Sequence, residues 1–319
     1  MAKQTPAVRH LRYLLTHNGE NSEDSHYIDL AKHLSEINRR LYEQGKVYHV
    51  AGVTVHTTSQ TYVKFCVCPD TWVSRAAWNR GKKAWKEMRR QALIGAGGTR
   101  KEATWADFKV RISEAHRVES DASDIPKPVD SGDNELEEGE WIYSVYSSPD
   151  GTTTVDEYEA HLCGNHSGSA GSWTSVGLIK SFGEIRTTVN RLESPAADSD
   201  GDDDPLANLF DDGTQDDEIL QNIDDHGNAP PYHMGANDAD MGESYVGSSS
   251  NFPNPIVVGT TATSYVAPAG GKSLGYIGPF SALCGLVEIE TLSTLPSDTI
   301  EVLFELMPGN YKGVAASTI

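Results

Sequence analysis

No apolar run in these 319 residues approaches the roughly 18 that a membrane-spanning helix requires, so the sequence predicts no helical passage through a bilayer. The opening MAKQTPAVRHLRYLL has cations but no sustained apolar stretch with a small-residue cleavage site, which argues against a secretory signal peptide. Cysteine is scarce. Cys66, Cys68, Cys163 and Cys284 are too few and too scattered for a disulfide scaffold, and a reduced compartment is the simpler inference. Hydrophobic residues make up only 38%, below the usual globular share, so part of the chain cannot join a core.

Complete catalytic and metal motifs are missing too. GGKS at Gly270–Ser273 has the end of a phosphate loop without its beginning, because Val266 stands where a glycine is required. Cys66-x-Cys68 places two thiols on one strand face, but a metal needs two further ligands and the other cysteines are distant in sequence. His49 and His56 are seven apart, hence on opposite faces of a straight strand. His161-Leu-Cys163 offers a base and a thiol with no legible acid to orient them. DSDGDDDPLANL opens like a calcium loop, yet Asp203 replaces the glycine at its sixth position and Leu209 the acid at its twelfth. Divalent binding by Asp198, Asp200, Asp202 and Asp204 is the weaker alternative to a solvated acidic loop. The sequence thus predicts no catalytic residues and no cofactor.

Charge is abundant but segregated. Residues 1–118 carry 20 Lys+Arg against 11 Asp+Glu, leaving 6 and 35 of the chain's 26 and 46 for the remainder. A net charge of −20 therefore conceals a cationic third and an acidic two-thirds. The cations concentrate in TWVSRAAWNRGKKAWKEMRR. Thr71 caps an expected helix running to about Ile94, ended by Gly95–Gly98. Trp78, Trp85, Met88 and Ala92 share one helical face; Arg75, Lys82, Lys86 and Arg89 share an adjoining one, with Lys83 and Arg90 beside them. Three readings follow: a solvated basic face with tryptophans in the core, a row of cations for nucleic-acid phosphates, or tryptophans that stack on bases.

Around this helix the periodicity is that of strands. Expected strands span 47–56, 61–68, 141–147, 152–160, 173–180, 185–191, 280–292 and 299–307, the first two as a hairpin. Expected helices span 21–45 and 105–118 besides 71–94. Val63, Phe65, Val67, Val287, Ile289, Val302 and Phe304 alternate with polar neighbours and face a core. The fold class is mainly β, an antiparallel jelly-roll-like sandwich. Residues 1–45 form a helical N-terminal segment. Residues 46–192 and 251–319 form the strand framework, with a helical insertion at 71–118, and 193–250 form an acidic surface insertion.

This combination of basic helical start, jelly-roll-like strands, long acidic insertion and strand-rich end resembles a major capsid protein of a small icosahedral virus or tailless phage. The segment YHVAGVTVHTTSQTYVKFCVCPDTWVSRAAWNRGKKAWKEM is similar to capsid sequences of small viruses. The resemblance implies a structural, non-enzymatic subunit that self-assembles around a nucleic-acid genome, its basic surface inward and its acidic insertion outward. Implied partners are further copies of the chain and the viral genome, with no membrane. Implied location is the virion, after assembly in the host cytoplasm or nucleus. Arg75, Lys82, Lys83, Lys86, Arg89 and Arg90 would then meet the genome or a neighbouring subunit. The rival is a non-capsid nucleic-acid-binding protein with an acidic regulatory insertion, and a hydrolase on a β-scaffold is a third class.

Overall fold

Alternation of apolar and polar residues builds the framework of the computed structural model, which describes residues 6–95, 106–121, 125–137, 139–149, 155–169, 172–189, 245–248, 252–263 and 272–319. In β1 (His10–His17), Leu11, Tyr13 and Leu15 are buried between more exposed neighbours. β2 (Glu23–Asp29) runs directly into α1 (Leu30–Asn38), where the Asp29 carboxylate caps the helix by accepting from the Lys32 amide at 3.0 Å. β3 (Lys46–Thr57), β4 (Thr61–Val67), α2 (Trp72–Gly95) and α3 (Glu114–Asp121) follow. Next come β5 (Val145–Pro149), β6 (Val155–His161), β7 (Ser167–Ser169), β8 (Ser172–Gly177) and α4 (Leu178–Val189). The last group is β9 (Ile256–Thr263), β10 (Ser273–Ile277), β11 (Phe280–Leu283), β12 (Leu286–Ser293) and β13 (Asp298–Leu306), then the short β14 (Pro308–Gly309), β15 (Gly313–Val314) and β16 (Ala316–Thr318).

Two antiparallel sheets share one apolar core. The first has the order β1-β13-β3-β10, with β11 and β16 also on β3; the second has the order β2-β12-β4-β9. Val63, Phe65, Val67, Val287, Ile289, Val302 and Phe304 all lie between them, none more than 3% exposed. Phe304 meets Phe65 and Tyr13 edge-on, both at 5.8 Å between centroids. β3 and β4 do not form the expected hairpin. They pair in different sheets, and residues 58–60 carry the chain across from one to the other. Hydroxyls satisfy the polar groups that this crossing buries. Ser59, Thr61 and Ser293 donate to the Asp298 carboxylate, at 3.3 Å from Thr61 and 3.0 Å from Ser293.

A second core belongs to the stretch between β4 and β9. There β5-β6-β8-β7 form a separate sheet, with β6 and β8 parallel. α2 packs against α4, and Trp78, Trp85, Phe108, Ile112, Leu162 and Ile179 are buried together. The outer face of the β2/β12 pair closes this core with Tyr27 and Leu286. At that seam the Tyr27 hydroxyl donates to the Glu288 carboxylate at 3.1 Å, and the Tyr27 ring stacks on His116 at 5.0 Å. Burial pushes the Glu288 carboxyl up to about 7 and the His116 imidazole down to about 3.

Several expectations need correction. The helix expected over 21–45 begins only at Leu30, because Glu23–Asp29 pairs with β12. Within 105–118, Arg111 pairs with Ala160 and Leu162 as extended backbone, and the helix starts at Glu114. Of the strand expected at 185–191, residues 185–189 are part of α4 and the last two lie outside the described residues; that expected at 173–180 stops at Gly177, and Leu178, Ile179 and Phe182 share a helical face. The strand expected over 280–292 is two strands in different sheets. Cys284 and Gly285, with φ of 59° and 73°, make the left-handed turn between them. β1, β9 and β10 are not among the expected strands. The acidic insertion is not wholly a surface feature either, since Tyr245 is 4% exposed within the second core. Residues 193–244, 249 and 250 lie outside the described residues.

Phe304→Ala is expected to lower unfolding free energy by about 3–5 kcal/mol in urea titration, the usual cost of emptying a buried aromatic site. The seam predicts a pH effect of opposite sense to an ordinary ion pair. Glu288 binds its proton more tightly in the folded than in the unfolded chain, so its contribution is full below the unfolded value near 4.5 and is lost as pH rises through about 7. Glu288→Gln should therefore raise the melting temperature at pH 8 and leave it nearly unchanged at pH 4.

Candidate nucleic-acid interface

The helix α2 is fixed at its start by a reciprocal cap: the Ser74 amide donates to Thr71 Oγ1 at 3.2 Å and the Thr71 amide to Ser74 Oγ at 2.9 Å. Trp78 and Trp85, seven residues apart, turn inward onto Phe108 at 5.8 and 5.7 Å. Gly81 lies between them. A Cβ there would meet Leu178 and the Tyr146 hydroxyl at 3.0 Å, so the glycine lets β5 and α4 approach. Trp78 is 2% and Trp85 9% exposed, which leaves no ring face free for a base. Ala92, expected on the same face, is exposed.

The six cations have different commitments. Arg75 is bound in a fork to Asp70 at 2.6 and 2.8 Å, and Arg90 to Glu87 at 2.8 and 2.6 Å. Those hydrogen bonds from Arg90, with one from Gln91, hold the Glu87 carboxyl down to about 2. Lys82 sits over the Trp78 ring at 4.6 Å and Arg89 over Trp85 at 5.0 Å, each keeping its charge at the helix surface. Lys83 and Lys86 are exposed and form no ion pair among the described residues. The row outside those two forks is therefore Lys82, Lys83, Lys86 and Arg89. Arg80, half-buried, donates to Ser181 and ties α2 to α4.

The other sequence candidates resolve blandly. A β-bulge at Ala51–Gly52 shifts the alternation of β3, so His49 and His56 both point away from the core, contrary to the straight-strand expectation. Lys272 of GGKS pairs with Glu301 at 2.6 Å, and Ser273 starts a strand. Cys68, Cys163 and Cys284 meet in the second core as free thiols, and burial pushes Cys68 and Cys284 up. Glu114 does lie 3.9 Å from His161, a neighbour the sequence does not disclose. Both ring nitrogens are engaged, however: Nε2 donates to the Asn165 carbonyl at 2.8 Å, and Nδ1 accepts from Ser175 at 2.7 Å. Burial brings His161 down to about 4 and keeps it neutral. Among the described residues no three His, Cys, Asp or Glu side chains converge as a metal site; Asp198, Asp200, Asp202 and Asp204 lie outside those residues.

No protein-family model, curated protein or solved structure matches the chain. Among the described residues no helix is long and apolar enough to cross a membrane. What sequence reasoning misses is the role of the acids: Asp70 and Glu87, five residues before Arg75 and three before Arg90, are visible there as charge-pairing partners.

Replacing Lys82, Lys83, Lys86 and Arg89 with Gln should weaken polynucleotide binding and lower the slope of log K against log salt by about 0.7–0.9 for each phosphate no longer neutralised. Arg75→Gln with Arg90→Gln should change that slope far less, because both guanidiniums are already neutralised. Filter binding across a salt series distinguishes the two variants.

Proposed function

We propose that the chain is a structural viral capsid protein, a jelly-roll subunit that self-assembles into an icosahedral shell around a nucleic-acid genome. One observation carries the reading. Taking β1, β2, β3, β4, β9, β10, β12 and β13 as eight successive framework strands, the two sheets run 1-8-3-6 and 2-7-4-5. Folding an eight-stranded antiparallel ribbon over on itself gives this order, and the resulting jelly roll is an architecture of viral coats. The second core is spliced between the fourth and fifth strands, so it enlarges the subunit without interrupting either sheet.

Electrostatics supports the same reading. The row on α2 supplies cations spaced by single helical turns, suited to phosphates rather than to base edges. The acidic excess after residue 118 gives the rest of the chain the opposite sign. Its partners are other copies of the chain and the packaged genome; it needs no cofactor and performs no catalysis, and it works in the virion.

Negative-stain microscopy of purified protein, with and without polynucleotide, tests this directly. Closed particles of uniform diameter are the expected result. Protein that stays monomeric or dimeric at every salt concentration while still binding polynucleotide would instead identify a non-capsid nucleic-acid-binding protein.

A further inference from the structure

A cavity of about 310 Å³ opens beside the end of α1, on residues that no part of the capsid reading uses. Three cations line it: Arg39, Arg40 and Lys109. Arg39 ends α1 in the left-handed region, with φ of 52°, its amide closing on the Ser35 carbonyl, so the two arginines follow each other out of the helix. Both are exposed. Lys109 is different. It is 8% exposed, yet among the described residues its ammonium has no hydrogen bond and no carboxylate within ion-pair distance; its partner is the face of Trp141 at 4.8 Å. Burial lowers its proton affinity, and Asp107 and Asp29 oppose that only from longer range.

The two carboxylates of the lining do not balance this. Glu36, itself 6% exposed, accepts from the Gly139 amide at 3.2 Å, and Glu140 is exposed at the rim. A largely buried lysine whose ammonium has no bonded counter-ion is costly, and an anion that reaches it through the cavity offsets the cost. Guanidiniums at the mouth and an ammonium on the wall match the oxygens of a tetrahedral dianion.

We propose that this cavity binds a phosphate group, either free or carried as the monoester of a nucleotide, through Lys109, Arg39 and Arg40. None of the six α2 cations lines it. The site is therefore independent of the helix, and its test is independent of assembly.

Isothermal titration of the full chain at pH 7 would use inorganic phosphate, a nucleoside 5′-monophosphate and the nucleoside without phosphate. Phosphate and monophosphate should bind and the bare nucleoside should not. Tighter binding of the monophosphate would identify a nucleotide as the natural source; equal binding would identify free phosphate. Lys109→Met should weaken both by about tenfold or more, and Lys109→Arg should restore most of the affinity. Circular dichroism checks folding, and Arg40→Gln, on an exposed side chain, gives the same readout should Lys109→Met not fold. Absence of phosphate binding at millimolar concentration, or binding unchanged in both Lys109→Met and Arg40→Gln, would overturn the proposal.

Discussion

The side-chain amide of Gln44 joins the two halves of this molecule, and much of the rest follows from it. Fully buried, it donates to Asp29 at 2.6 Å and to the Val110 carbonyl at 3.1 Å, and accepts from the Val110 amide at 2.7 Å. It thus stands in for one residue of a neighbouring strand along the extended 108–112 segment. Asp29, in turn, ends β2 and caps α1. One uncharged side chain therefore fixes a helix of the framework against the segment on which Trp78 and Trp85 rest. Burial pushes the Asp29 carboxyl up to about 6 against the pull of its donors, the Lys32 amide and Gln44 among them, so the charge it carries at neutral pH depends on those donors. Loss of the amide would take one donor from the Asp29 carboxylate, leaving it the Lys32 amide, and would strand the Val110 amide and carbonyl without partners in an apolar surrounding, a damaging kind of polar deletion.

Strands with one buried face are legible in the sequence because alternation states both the period and the face. That holds for β4 and β13, whose inward residues are those read from the pattern. β1 carries the same signal in Leu11, Tyr13 and Leu15, hidden within a stretch that reads first as a candidate leader. β2, buried on both faces, is not legible. Tyr27 faces one core and Ile28 the other, so β2 lacks alternation and blends into the helical spacing of α1. Partner choice is illegible for a different reason: a short polar link such as residues 58–60 suits a hairpin and a crossing between sheets equally. The candidate interface is legible as a helix, a cap and a row of cations. Which cations are already satisfied depends on Asp70 and Glu87, and on ring faces that only packing orients.

The chain carries its charges in a way that would make any self-association depend on salt. A chain with a net charge of −20 repels its copies at low ionic strength, and salt at physiological strength reduces that repulsion beyond about 8 Å. A polyanion could approach the chain only at a local cationic surface, because the molecule as a whole would push it away. The tryptophans that anchor Lys82 and Arg89 keep such a surface in place, holding the ammonium and guanidinium over rigid rings rather than on free side chains.

The pairing of β1 with β13 has a consequence for how the molecule is made. His10 lies opposite Glu305, and β2 opposite β12, so both sheets depend on contacts between residues more than 250 positions apart. During synthesis β1 and β2 must wait, with Leu11, Tyr13 and Ile28 uncovered, until β12 and β13 have emerged. Such high contact order slows folding and lengthens the time during which unpaired strand edges can meet those of other chains. The stretch between β4 and β9, with its own sheet and core, can meanwhile begin to condense locally. Synthesis would then yield a preformed lobe carrying two unfinished ends, and the framework would close last.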